Sequence, residues 1–159
     1  HRNPLGIAFD EQGTLWTHEM GPRHGDELNR ITRATNYGYP FVSEGEHYNG
    51  TKIPSHASMP IFQAPDFAWV PAISPAGLMI YQGERFAAWS GHAFIGGLSS
   101  QALVRVDLGQ KATGANKKPS EAARYEWGKR IREIEQGPDG LIYVLEDSTG
   151  GRLLKLEPI

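Results

Sequence analysis

Two segments far apart in the chain obey one grammar. "LGIAFDEQGTLWTHEM" (5–20) alternates through Ile7 and Phe9, turns at Glu11-Gln12-Gly13, and resumes with Leu15 and Trp16. "IREIEQGPDGLIYVLEDSTGGRLLKLEP" (131–158) does the same: Ile131 and Ile134, a turn at Gly137-Pro138-Asp139-Gly140, a strand from Leu141 to Leu145, and a last strand at Leu153–Leu156. Glycine-bearing turns between short alternating runs predict hairpins. Each copy runs strand, acidic or glycine turn, apolar strand ending in an acid, loop, strand; in the first copy the third strand is "ELNRIT". A looser middle copy predicts strands at Leu78–Tyr81, Ala93–Gly96 and Leu103–Asp107, with "AARYEW" (122–127) as a fourth. Sheets of three or four antiparallel strands that recur along a chain are the habit of propeller blades, and a β-sandwich is the alternative.

Composition agrees with strands rather than long helices. The 159 residues include 19 glycines and 11 prolines, well above the share in an average chain. A net charge of −2 offers no basic surplus for a nucleic-acid partner. No apolar run approaches the ~18 residues of a membrane span. The absence of cysteine excludes disulfides and thiolate chemistry. The proline- and aromatic-rich stretch 38–72 is too long for an ordinary connection, which predicts a functional loop. "LGQKATGANKKPS" (108–120) reads as a solvated hairpin loop.

Three sets of residues are chemically suggestive. Glu19, Asp26 and Glu27, with Asn29, crowd around Gly21-Pro22; such oxygen-rich turns suit a hard cation, or are simply solvated. Arg2-Asn3 opens one repeat, and Arg130 and Arg132 open another. Residues two apart on a strand share a face, so Arg130 and Arg132 form either a two-pronged anion clamp or a solvent-facing pair. The six histidines show no zinc-type spacing, and neither a G-x-S-x-G elbow nor a phosphate-binding glycine loop is present.

Read in order, "HRNPLGIAFD", "EMGPRHGDELNRITRATNYGYP", "VPAISPAGLMIYQGERFAAWSGHAFIGGLSSQALVRVDL" and "RIREIEQGPDGLIYVLEDSTGGRLLKLEP" resemble the soluble PQQ-dependent aldose sugar dehydrogenases, the glucose/sorbosone dehydrogenase family. The likeness covers nearly the whole chain. It implies an all-β, six-bladed β-propeller of which this chain is the C-terminal half, about three blades: 1–72 with the long loop, 73–127 and 128–159. An N-terminal half of the propeller would then be missing, and blade faces meant to be covered would be exposed.

The resemblance also implies a site. Calcium would sit on the backbone carbonyls of Gly21 and Pro22, beneath pyrroloquinoline quinone (PQQ). A second, structural calcium would use Glu27 and a carbonyl at Tyr37. Arg2, Asn3, Arg130 and Arg132 fall at cofactor-contact positions, with Tyr48 and Ser99 as further candidates. Arg2 would stabilise developing negative charge during oxidation of an aldose to its lactone, with electrons passed to an external acceptor. The family's general-base histidine aligns upstream of Arg2-Asn3-Pro4, outside this chain, and His1 corresponds to a different histidine. Leu5, Met20 and Ser99 replace more polar residues of the family pattern. The alternative is a non-catalytic propeller module that retains calcium but has lost the quinone; a calcium-dependent lactonase would not need the arginine clamp. Family members are usually exported, which implies a periplasmic or secreted protein.

Overall fold

The structure, a computed structural model, describes residues 1–109 and 117–158. Its eleven described strands form three antiparallel sheets in chain order. The first contains β1 (Pro4–Phe9), β2 (Leu15–Glu19), β3 (Asp26–Arg30) and β4 (Phe67–Trp69). The second contains β5 (Pro75–Ile80), β6 (His92–Gly97), β7 (Ala102–Asp107) and β8 (Ser120–Glu126). The third contains β9 (Ile131–Gln136), β10 (Ile142–Glu146) and β11 (Leu153–Leu156). Within each sheet every strand pairs with its sequence neighbour. These are propeller blades: the repeat's alternative, a β-sandwich, is not formed, and the all-β partial propeller implied by the resemblance is what the chain forms.

Alternation decides which faces meet. Leu78 and Ile80 of β5 join Trp16, Leu28 and Trp69 in the seam between the first and second sheets. Met79 and the following Tyr81 point the other way, into a seam with Ile131, Ile134, Ile142 and Val144 of the third sheet. The middle sheet is therefore apolar on both faces, and each fully buried aliphatic side chain contributes about 1.5–3 kcal/mol. The outer face of β1 has no such neighbour among the described residues: Leu5, Ile7 and Phe9 are exposed, as expected of an uncovered blade face.

The innermost strands β1, β5 and β9 lie side by side and run the same way. Gly6 approaches Leu78 and Gly77 approaches Glu133. Further along, the Gln82 side chain donates to the Phe9 carbonyl and its N–H to the Gln136 side chain. Close approach depends on missing methyl groups. A Cβ on Gly6 would stand 2.6 Å from Leu78 Cβ, and one on Gly77 would stand 2.9 Å from Glu133 Cα, both inside van der Waals contact.

The long loop departs from expectation at its end. Residues 67–69 form β4, the fourth strand of the first sheet, pairing with β3 from Asp26↔Trp69 to Leu28↔Phe67. Three residues flanked by prolines are too short to show alternation. A short 3-10 turn at His56–Ser58 lies in the same stretch. The expected strand Leu141–Leu145 is shifted by one residue, to Ile142–Glu146. The solvated loop predicted over 108–120 falls largely, across 110–116, outside the described residues.

Candidate functional site

Because β1, β5 and β9 are parallel, whatever precedes them gathers at one end of the fan. Arg2 and Asn3 precede β1, Ile73 and Ser74 precede β5, and Arg130 precedes β9. The turns between second and third strands return to that end. Met20 N–H donates to the Asn3 carbonyl (3.1 Å), Leu98 N–H to the Ser74 carbonyl (2.9 Å) and Asp147 N–H to the Arg130 carbonyl (2.8 Å).

At the first sheet a buried carboxylate organises the cluster. Glu19, the last residue of β2, is 2% exposed. It accepts the Arg2 N–H (2.5 Å), the Asn3 N–H (3.2 Å) and the Asn29 side-chain amide (3.0 Å), and it faces His1 Nδ1 at 2.6 Å. With its backbone fixed, Arg2 turns its guanidinium onto the β2–β3 turn and donates to the carbonyls of Met20 (3.0 Å) and Gly21 (2.7 Å). The rings of Tyr39 and Tyr48 both lie 5.9 Å from its Cζ, within cation–π range, and the Tyr48 hydroxyl accepts from it at 3.3 Å. No carboxylate pairs with the Arg2 guanidinium among the described residues. Its charge is held by dipoles and is not neutralised.

Behind Arg2 lies a cavity of about 10 Å3 lined by Glu19, Gly21, Pro22, Glu27 and Tyr37, among others; that is room for about one water-sized sphere. Asn29 also donates to Glu27 at 3.2 Å. Burial, followed by the charge of Glu19, pushes the Glu27 carboxyl up to about 7; two like charges in one buried site disfavour ionisation. The Asn29 side-chain oxygen has no hydrogen-bond partner although the residue is fully buried. The Tyr37 carbonyl accepts from His56 Nε2 (3.0 Å), whose other ring nitrogen meets Glu44 (3.0 Å). The adjoining turn is pinned by Asp26, whose buried carboxylate accepts the N–H groups of Gly21 (3.0 Å), Ile73 (2.8 Å) and Ser74 (2.7 Å). It thereby ties the first sheet to the start of the second, and burial raises its carboxyl above the ordinary value.

A hard cation is compatible with this donor set. Carboxylate and carbonyl oxygens of Glu19, Gly21, Glu27 and Tyr37 suit it, and a cation would relieve the Glu19–Glu27 repulsion, although Arg2 and His1 line the same cavity. Two of the carbonyls are already engaged, that of Gly21 by Arg2 and that of Tyr37 by His56. Among the described residues no cluster of three or more His, Cys, Asp or Glu side chains could hold a metal, so carbonyls would have to supply much of the coordination.

The remaining candidates belong to the next two sheets. Ser99, in the β6–β7 turn, donates its N–H to the Ile73 carbonyl (3.2 Å) and its hydroxyl to the Ala72 carbonyl (3.4 Å). Arg130 and Arg132 converge on Asp147, to which both are salt-bridged (2.9 and 2.7 Å). Arg2, Asn3, Tyr48, Gly21, Pro22, Glu27 and Tyr37 thus form one cluster, while Ser99 and the arginine pair occupy the corresponding ends of the second and third sheets. Arg130 and Arg132 share one face and one partner, and both are half-exposed. Sequence reasoning did not find the partners that hold these groups: His56 carried no motif, and Asp147 carried only the signal of an acid after an apolar strand.

Residues 1–155 match the family model of glucose/sorbosone dehydrogenases. The chain is 35% identical to the aldose sugar dehydrogenase YliI of Escherichia coli over 99% of its own length and 42% of that protein's. A crystal structure of that organism's soluble aldose sugar dehydrogenase in the apo-form superposes with a TM-score of 0.85 at 35% identity, covering 97% of this chain and 44% of the other. The PQQ-bound form of an aldose sugar dehydrogenase from Streptomyces coelicolor gives 0.65 at 28% identity, covering 99% and 43%. The chain therefore spans less than half the length of these relatives. With a family model matching nearly all of it and relatives sharing both sequence and blades, this chain belongs to the glucose/sorbosone dehydrogenase family.

Proposed function

We propose that the protein oxidises aldose sugars to lactones with PQQ and calcium as cofactors, and that this chain contributes the cation seat and the anion-binding arginines of that site. The observation that carries the reading is that Arg2 with its oxygen-bearing cavity, and the Arg130–Arg132 pair, stand at the same end of the parallel innermost strands. A PQQ-bound relative supports the choice of quinone. When bound, PQQ supplies a two-electron acceptor and calcium polarises its reactive carbonyl as a Lewis acid.

The chain's own residues have separate tasks. Arg130 and Arg132, half-exposed, suit carboxylates, because guanidinium forks match them in shape and charge. Arg2, which has no carboxylate partner among the described residues, can favour negative charge developing on the sugar oxygen. Asn3, Tyr48 and Ser99 border the same end and would orient cofactor or sugar. Gly21 and Pro22 offer carbonyls to calcium, and Glu27 with Tyr37 offers a second seat. His1 is engaged by Glu19 and stacks on Tyr37 at 4.2 Å, and the family resemblance assigns the proton-accepting role to a different histidine. An external acceptor would reoxidise the cofactor. No described helix is long and apolar enough to cross a membrane, and the family resemblance favours a periplasmic or secreted location.

The test is spectroscopic. The full-length polypeptide carrying this sequence, given calcium and PQQ, is mixed with a panel of aldoses while quinone absorbance is followed. Reduction by at least one aldose, abolished by chelation and severely slowed in Arg2→Ala, is expected; a quinone left oxidised by every aldose would refute the reading.

A further inference from the structure

A single carboxylate oxygen gathers the third sheet's arginines. Asp147 Oδ2 accepts hydrogen bonds from Arg130 Nε at 3.0 Å and Arg132 Nη2 at 2.7 Å, and Arg130 Nη2 stands 2.9 Å from it. The same residue's N–H donates to the Arg130 carbonyl at 2.8 Å, so backbone and side chain both secure the turn to the start of β9. Neighbouring Glu146 points away, into a buried site shared with Trp127, Lys129 and Arg152. The two acids that close β10 therefore divide the work: Glu146 closes its own turn, and Asp147 serves the exposed end.

Two guanidiniums reaching one oxygen atom repel each other. Without a carboxylate between them, half-exposed arginines would spread into solvent and lose the geometry of a fork. Their hydrogen bonds hold the Asp147 carboxyl below its ordinary value, so the anion persists wherever the protein is folded at neutral pH. One negative and two positive charges leave the trio at +1, with the guanidinium edges that do not face Asp147 available to a ligand.

We infer that Asp147 is a positioning residue that presets the spacing of Arg130 and Arg132 for the carboxylates of the quinone. This rests on the proposed function. It makes an unusual prediction, because deleting a negative charge beside an anion site ought, by electrostatics alone, to tighten anion binding. If alignment matters more than net charge, deletion weakens it.

The experiment measures the PQQ dissociation constant of the full-length polypeptide by quenching of tryptophan fluorescence, for wild type, Asp147→Asn, Arg130→Ala/Arg132→Ala and the triple variant, with urea midpoints as a check on folding. Asp147→Asn is expected to weaken binding about tenfold, the size of one charge-assisted hydrogen bond, with its urea midpoint unchanged. In the double-arginine background the same change is expected to have no effect, since nothing remains to align. Unchanged or tighter binding by Asp147→Asn overturns the inference while leaving the proposed function standing. Equal weakening in both backgrounds also overturns it. No PQQ binding by wild type overturns the proposed function and this inference together.

Discussion

Arg2 and the Arg130–Arg132 pair stand ahead of equivalent strands, but Arg2 donates to neutral carbonyls and lies beside two tyrosine rings, whereas the pair leans on a charged, partly exposed carboxylate. In the first sheet the buried acid Glu19 holds the backbone and leaves the guanidinium unopposed. In the third sheet Asp147 holds the guanidiniums themselves and cancels half their charge. The difference teaches that one fold can present arginine in two ways: as a full charge held by backbone dipoles and aromatic rings, and as a pair partly neutralised by a shared carboxylate.

The largest expected effect tests how deeply each station is built in. Glu19→Ala strips the acceptor from several buried donors and should cost about 2–4 kcal/mol of stability, seen as a lower urea midpoint. A midpoint like wild type's would show that the first station is no more deeply anchored than the third.

Acidity should act on the two stations with opposite sign. Glu27 has its folded-state value raised to about 7 from 4.5, so its contribution is full below about 4.5 and lost as pH rises through 7. Asp147 has its value depressed by Arg130 and Arg132, so its contribution, small because these ion pairs are exposed, is present at neutral pH and lost as pH falls into the acid range. With chelator present, urea midpoints should decline from pH 5 to 8 in wild type and decline less in Glu27→Gln. Calcium should reverse the decline, because a cation favours the ionised carboxylate. Identical slopes in wild type and Glu27→Gln would erase this contrast.

The smallest effect is on the stability of Asp147→Ala, whose urea midpoint should match wild type's because exposed ion pairs contribute little. A clear loss of stability would move Asp147 into the same class as Glu19 and blur the distinction.

Much of this was legible along the chain because the signals are local. Turns at Gly13 and Gly140, alternation through Met79 and Ile80, and arginines just ahead of apolar strands each occupy a few consecutive residues. The short antiparallel strands followed from these, while the three blades and the grouping of Arg2, Gly21 and Arg130 in one site were implied only by the family resemblance. What was hidden depends on partners brought together by folding. Glu19 meets Arg2 across 17 residues, His56 meets Tyr37 across 19, and Asp147 meets Arg130 across 17. Strand β4 was masked for another reason: three residues between prolines cannot display a period. The exposure of Leu5, Ile7 and Phe9 could be anticipated only from the likeness to a larger ring.

The hydrogen side chains of Gly6 and Gly77 carry a geometric consequence for chemistry some way off. They let neighbouring sheets nest at the hub, and hub spacing sets the angle at which successive blades diverge. A methyl group at either position would act as a wedge, opening the fan like a shim under a hinge. The span between Arg2 and Arg130 would widen with no change to either arginine, so the reach of the whole arginine-bearing end is governed by atoms that glycine lacks.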